Sequence, residues 1–176
     1  PQKSGKNPAP VAAAPAITKS KPIAEFKSSP PLKGDYIYKN DPSRSDIMPF
    51  NDNVISEINK SPTLQAQLKE LRNMGWAIQP GEAGGGSYAE ADNKLIVIDP
   101  EHMQTSAETV QTLAHEAGHA MYPVSEDYSS RENFINSQLM DEGGATLNNI
   151  KVQREILANG GVDIDIAGSE VNLQAY

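Results

Sequence analysis

Thr105-Ser106-Ala107-Glu108-Thr109-Val110-Gln111-Thr112-Leu113-Ala114-His115-Glu116-Ala117-Gly118-His119-Ala120-Met121 reads as one helix carrying a metal-ligating pentapeptide. Thr105 with Glu108 has the S/T-x-x-E form of a capping box, which places a helix start ten residues before His115. Val110, Leu113, Ala114, Ala117 and Met121 recur at helical spacing as a buried stripe, and Pro123 ends the run. His115 and His119, four apart, project from one face one turn above the other. Two imidazoles at that separation can share one Zn²⁺ and leave room for a third protein ligand. Glu116 lies beside them on the turn that faces the same ion, where its carboxylate can take up a proton. Five residues thus offer two ligands and a general base.

No histidine follows His119, so the third protein ligand is expected to be a carboxylate unless it comes from outside this chain. Glu142 is the first choice. It lies 23 positions after His119, in a long helix predicted over residues 130–158. Ser129 with Glu132 has the form of a second capping box at the start of that helix, and Gly160-Gly161 stops it. Phe134, Ile135, Leu139, Ala145 and Thr146 fall near the side of Glu142, which puts Glu142 where the two helices meet. Gly143 and Gly144 would let the helix come close to the metal. Two helical glycines cost about 1 kcal/mol each relative to Ala, so a packing or functional reason is expected. Asp141, about 100° away around the helix, is the second choice. Glu155 and Glu170 come after it, and His102 reads as a surface residue.

Ahead of the motif helix, Lys94 to Asp99 is the clearest strand in the chain, closed by Pro100. Gly84-Gly85-Gly86 leads into Ser87-Tyr88-Ala89-Glu90, and Asp92-Asn93 makes a turn, so the two segments read as a β-hairpin feeding the helix. Trp76-Ala77-Ile78 is a further strand, ending at Pro80-Gly81. Before it, Ser61-Pro62 starts a helix whose Leu64, Leu68, Leu71 and Met74 share a face, with Gly75 as its stop. Val54 to Asn59 reads as a short helix and Tyr36-Ile37-Tyr38 as a short strand. The fold class is α+β: a small antiparallel or mixed sheet packed on the motif helix and on a second long helix that carries the glutamate.

The chain has 176 residues, the size of one domain, expected over residues 34–176. Residues 1–33 hold seven of the thirteen prolines, with Ala, Lys and Ser between them, and read as a disordered linker. With no initiator Met ahead of it, that linker suggests a module from the C-terminal part of a longer protein. There is no cysteine, which excludes disulfides and thiolate-bound zinc. No apolar run has the length of a membrane span, and the N-terminus lacks a signal peptide's apolar core, so no membrane insertion is expected. Six Lys against one Glu make residues 1–33 net +5, while the remaining residues are net −13. An acidic body argues against a duplex nucleic-acid surface, and the basic segment reads as a solvated tail.

His115, Glu116, His119 and Glu142 resemble, one by one, the gluzincin pattern of the zincin metallopeptidases, an HExxH motif with a downstream glutamate. A third histidine at metzincin spacing is absent. Over about residues 76–160 the chain is similar to the small metallopeptidase toxin domains of bacterial polymorphic toxins and type VI secretion spike proteins. Gly84-Gly85-Gly86-Ser87-Tyr88, Lys94-Leu95-Ile96-Val97-Ile98-Asp99, Leu113-Ala114-His115-Glu116 and Asp141-Glu142-Gly143-Gly144-Ala145-Thr146-Leu147-Asn148-Asn149 carry that likeness. The resemblance implies a zincin-like fold and an effector fused through the linker to a secretion spike or toxin carrier. It also implies translocation into a target cell, bacterial periplasm or host, and a cognate immunity protein.

The expected activity is zinc-dependent endopeptidase action on a protein or peptide substrate, with Glu116 as base and Zn²⁺ held by His115, His119 and Glu142. Tyr122, Tyr128 or Tyr88 could supply a phenol to stabilise the transition state. The strand Leu95, Ile96, Val97 and Ile98, or its partner at Ser87–Ala91, could pair with an extended substrate by strand addition. Two rivals are a zinc amidase acting on a cell-wall peptide and a non-enzymatic interaction module stabilised by zinc. Glu116 argues against the latter, because a structural site has no use for a base beside an open position.

Overall fold

The computed structural model describes residues 50–168. The 1–33 segment, Tyr36-Ile37-Tyr38 and Glu170 lie outside the described residues. Helix α1 (Asp52–Ile58) is capped by Asn51, whose side chain accepts from the Val54 amide at 3.0 Å. Helix α2 (Pro62–Asn73) follows Ser61, which accepts from the Leu64 amide at 3.1 Å, with Pro62 in the first turn where no N–H is missed. Leu64, Leu68 and Leu71 of α2 are buried. Met74, expected on the same face, is 38% exposed because the helix has already ended there and Gly75 turns the chain with φ +86°.

Strands β1 (Ala77–Pro80), β2 (Tyr88–Glu90) and β3 (Leu95–Ile98) form a mixed sheet in the order β1-β3-β2. The expected hairpin is present, with Ala89 opposite Ile96 in the antiparallel pair. Ile78 pairs with Ile96 in the parallel pair on the other side. Ile96 and Ile98 are fully buried and face the helices. A 3-10 turn (Pro100–Met103) leads into helix α3 (Ser106–Met121), where Thr105 and Glu108 close the capping box reciprocally. Helix α4 (Arg131–Ala158) completes the described fold. Ser130 caps it, accepting from the Asn133 amide at 3.1 Å, where the S-x-x-E pattern had favoured Ser129. Ser129 instead accepts from the Asn133 side chain and donates its own amide to Asp127, one step too early to cap.

Helix α3 is the hub. It packs on α1, α2, α4, β2 and β3, so it is buried around most of its circumference. Val110, Leu113, Ala114 and Ala117 are fully buried, as their spacing implies, and Met121 packs against the core from its edge. A mixed sheet packed on helices that carry a His-His-Glu cluster is a zincin-like α+β arrangement. Among the described residues no helix is long and apolar enough to cross a membrane.

The close approach between the two long helices is not at Gly143 and Gly144. A Cβ on either would meet nothing within 4 Å. It lies at Gly118, inside the motif: a Cβ there would sit 2.7 Å from Ala145 Cα and 3.0 Å from Asn148 Cβ. Ala145 is buried accordingly, whereas Ile135 and Leu139, expected at the helix–helix contact, are 42% and 53% exposed. The first half of α4 runs past the end of α3 and has little to bury them. Polar bonds fasten the crossing. Asn148 Nδ2 donates to the Ala114 carbonyl at 2.7 Å and to Gln67 Oε1 at 3.1 Å, and Gln67 Nε2 donates back to Asn148 Oδ1 at 2.7 Å. All of these side chains are buried and mutually satisfied.

Gly118→Ala is therefore expected to lower stability by about 1–3 kcal/mol, the range for overpacking a close contact. Gly144→Ala fills open space on a helix and should be neutral or stabilising by up to about 1 kcal/mol. Urea denaturation of the two variants beside the parent checks the contrast, and equal effects would contradict the assigned contact.

Candidate metal centre

His115 and His119 are brought together by one turn of α3, with their Nε2 atoms 3.1 Å apart and their ring planes at 80°. Glu142 reaches the pair from α4. Its Oε2 lies 3.4 Å from His115 Nε2 and its Oε1 lies 3.7 Å from His119 Nε2, so the carboxylate straddles both rings. One donor atom from each residue falls within 4.8 Å of the other two, which makes the three a candidate metal-binding cluster. A tetrahedral ion bound at about 2.0–2.1 Å holds its ligand atoms roughly 3.3 Å apart, close to these separations. The residues present fit such an ion.

Asp141, the second choice for a ligand, has a different place. Its Oδ2 lies 2.7 Å from His119 Nδ1, on the ring edge away from the cluster. A carboxylate can only accept there, so His119 carries its proton on Nδ1 and keeps the Nε2 lone pair for a metal. The other oxygen of Asp141 accepts from the Val124 amide at 3.3 Å, which fixes the carboxylate between loop and helix. The sequence signal for this role was the Asp-Glu pair itself, since neighbours 100° apart on α4 can reach opposite edges of the site. His115 has no such support: its Nδ1 is buried without a hydrogen-bond partner among the described residues. Burial, with His119 next to it, holds the His115 imidazole below its usual pKa, so the neutral form that can bind a metal is favoured.

Glu116 is 5% exposed. Burial raises its pKa, the Glu142 and Asp141 carboxylates add to the effect, and together they push it up to about 8. A cation in the cluster would oppose the part of that shift due to the Glu142 and Asp141 charges.

The other residues singled out in the sequence fall elsewhere. Glu155 is occupied: it accepts from Ser61 Oγ at 2.7 Å, from the Thr63 amide at 2.9 Å and from Thr63 Oγ1 at 2.6 Å. It thereby ties α4 to the N-terminus of α2, where a negative charge is favoured. His102 is exposed, with Nδ1 3.0 Å from Ser87 Oγ, and takes no part in the cluster. Tyr122 caps the C-terminus of α3, one turn beyond His119, and is exposed. Tyr128 stacks on Phe134 with ring centroids 5.3 Å apart and donates its hydroxyl to Glu126. Tyr88 is half exposed on β2.

Leu95, Ile96, Val97 and Ile98 cannot receive a substrate strand. Strand β3 is the middle strand, and its backbone is paired with β1 on one side and β2 on the other. The edge that packs on α3 is β2, and its outer side is unpaired within the described sheet.

No protein-family model matches the chain, and neither does any curated protein or solved structure. The functional reading therefore rests on the site.

Metal analysis should find about one zinc per chain in the zinc-supplemented protein after loosely held metal is removed, and clear loss in Glu142→Ala. Asp141→Asn keeps all three donors and should weaken zinc binding by about 10–100-fold, the usual effect of removing a ligand's orienting partner. Competition with a chelator of known affinity measures both. Unchanged affinity in Glu142→Ala would remove that residue from the site.

Proposed function

We propose that the protein is a zinc-dependent metallopeptidase of gluzincin type, with His115, His119 and Glu142 as the ligands. The observation that carries this reading is Glu116, a buried carboxylate next in sequence to His115, on the helix turn that bears two donors of a cluster open to solvent on one side. His115 and His119 are mostly covered, with 13% and 15% of their side chains exposed, while 65% of Glu142 is exposed. A structural ion is closed in by its ligands, and a catalytic one keeps a position free. Two imidazoles and a carboxylate form the donor set that suits Zn²⁺.

Zinc bound there supplies Lewis-acid polarisation of a carbonyl and lowers the pKa of a water toward about 7. The chain's own residues do the rest. Glu116 takes the proton of the attacking water and passes it to the leaving amine. Asp141 holds the His119 ring in one tautomer and orientation. Tyr122, carried by the end of α3 beside the ligand turn, takes the role of transition-state phenol in preference to Tyr128, whose hydroxyl is engaged by Glu126. An extended peptide adds to the outer edge of β2, with Tyr88 and Glu90 flanking it.

We further assign the chain to the toxin or effector domains delivered by bacterial secretion. The segments similar to those domains are residues 84–88, 94–99, 113–116 and 141–149, and the last two carry His115, Glu116 and Glu142. Delivery into a target cell and a cognate immunity protein go with that assignment.

Glu116→Gln is expected to reduce peptide hydrolysis by at least about 10²-fold, the contribution of a positioned base, while zinc content stays that of the parent. Unreduced turnover in a zinc-replete Glu116→Gln protein would exclude the mechanism. Loss of zinc together with activity would assign Glu116 to holding the metal.

A further inference from the structure

The loop and the first half of α4 beside the metal centre, residues 123–142, hold five Asp and Glu residues and one cation, Arg131, while Lys151 stands about 14 Å beyond Glu142 on the other half of the helix. Arg131 begins α4, about 16 Å along the helix axis from Glu142 at 1.5 Å per residue. Loop residues 123–128 are bonded along α4: besides the Val124–Asp141 bond, the Asp127 amide donates to Ser137 Oγ at 3.2 Å and Gln138 Nε2 donates to Glu126 Oε1 at 3.1 Å. Gln138 is one turn ahead of Glu142, so Glu126 is held about a turn from the cluster. The same stripe of α4 carries Leu139 and Ile135, one and two turns before Glu142, both exposed. A ligand approaching the open side of the cluster meets an apolar stripe rimmed by carboxylates.

Resting on the hydrolase reading above, we infer that the site takes polypeptide segments in which a large apolar side chain is flanked by Lys or Arg. The apolar side chain covers Leu139 and Ile135 and removes them from water. The flanking cations meet Glu126 and the carboxylates around it, which a bound dication offsets by only two charges. Acidic segments are repelled from the same surface. Charge complementarity of this kind acts mainly on encounter, raising association by factors of 10–10³ at low ionic strength, and it fades as the screening length shortens.

The test uses the full chain as the zinc-loaded Glu116→Gln variant, so that binding is read without turnover. Two short fluorescent peptides share one leucine-containing core and differ only in flanking Lys or flanking Glu. The Lys-flanked peptide is expected to bind at least about tenfold more tightly at low salt. That gap should shrink at least about threefold at an ionic strength where the screening length falls below roughly 8 Å. It should also shrink when Glu126→Gln is added, and exchanging the core leucine for serine should weaken both peptides. Equal affinities, or a preference insensitive to salt and to that substitution, would overturn the inference. Wild-type protein is assayed for cleavage of the same pair. A Lys preference in binding with neither peptide cut would overturn the peptidase reading while leaving the assigned surface intact.

Discussion

The contact of Gly118 with Ala145 is the constraint on which the site depends. Two of the three donors belong to α3 and the third to α4, so the cluster exists only if the helices cross at a fixed distance and register. At this crossing a hydrogen atom on Gly118 occupies the space where any side chain would meet the α4 backbone. Such a contact tolerates little sliding, because moving α3 by one residue would bring the side chain of Ala117 or His119 into the gap. Asn148 adds direction to the packing by donating to the carbonyl of Ala114, the residue before the first histidine. The spacing of the donors is thus set a turn away from the donors themselves.

Charge is the second constraint, and it runs against the fold. Glu116, Asp141 and Glu142 gather around two imidazoles, and Glu116 is buried there. A metal-free chain carries that arrangement at a cost, visible in the raised pKa of Glu116. In the proposed reading a divalent ion turns the same carboxylates from mutually repelling groups into ligand, orienting partner and base. The Glu155 bonds to Ser61 and Thr63 make the contrast: three donors surround that carboxylate, so it needs no ion.

What was legible in the sequence was what is encoded locally. The capping box at Thr105, the proline start at Pro62, the hairpin at residues 88–98 and the pairing of His115 with His119 each depend on a few neighbouring residues. Glu142 was reachable because zinc chemistry demands a third donor and no histidine follows His119 to supply it. Long-range facts were not legible in that way. Nothing local to Leu95–Ile98 says that a strand from residues 77–80 will pair on its far side, so a central strand looked like an available edge. Gly143-Gly144 stood out by composition, yet the glycine that matters for packing was Gly118, hidden inside a motif read for its chemistry. Exposure of Ile135 and Leu139 could not be read from periodicity, which gives a direction around the helix but not whether anything lies there.

Helix α4 divides at Ala145, and the division bears on function. Beyond it, Asn148, Asn149, Val152 and Ile156 are buried, and Glu155 anchors the helix to α2, so this half belongs to the body of the fold. Ahead of it Ser137 is the one buried residue, and the hold on this half comes from the bonds of loop 123–128 and from Asp141 on His119. Glu142 sits at the junction, one turn from the anchored part. A ligand mounted there inherits its position from the rigid half, while the exposed half is free to carry apolar side chains that no core requires. Exposed apolar residues next to the candidate metal centre are costly to solubility and contribute nothing to this packing. In the proposed reading, the substrate covers those on the stripe that leads to Glu142.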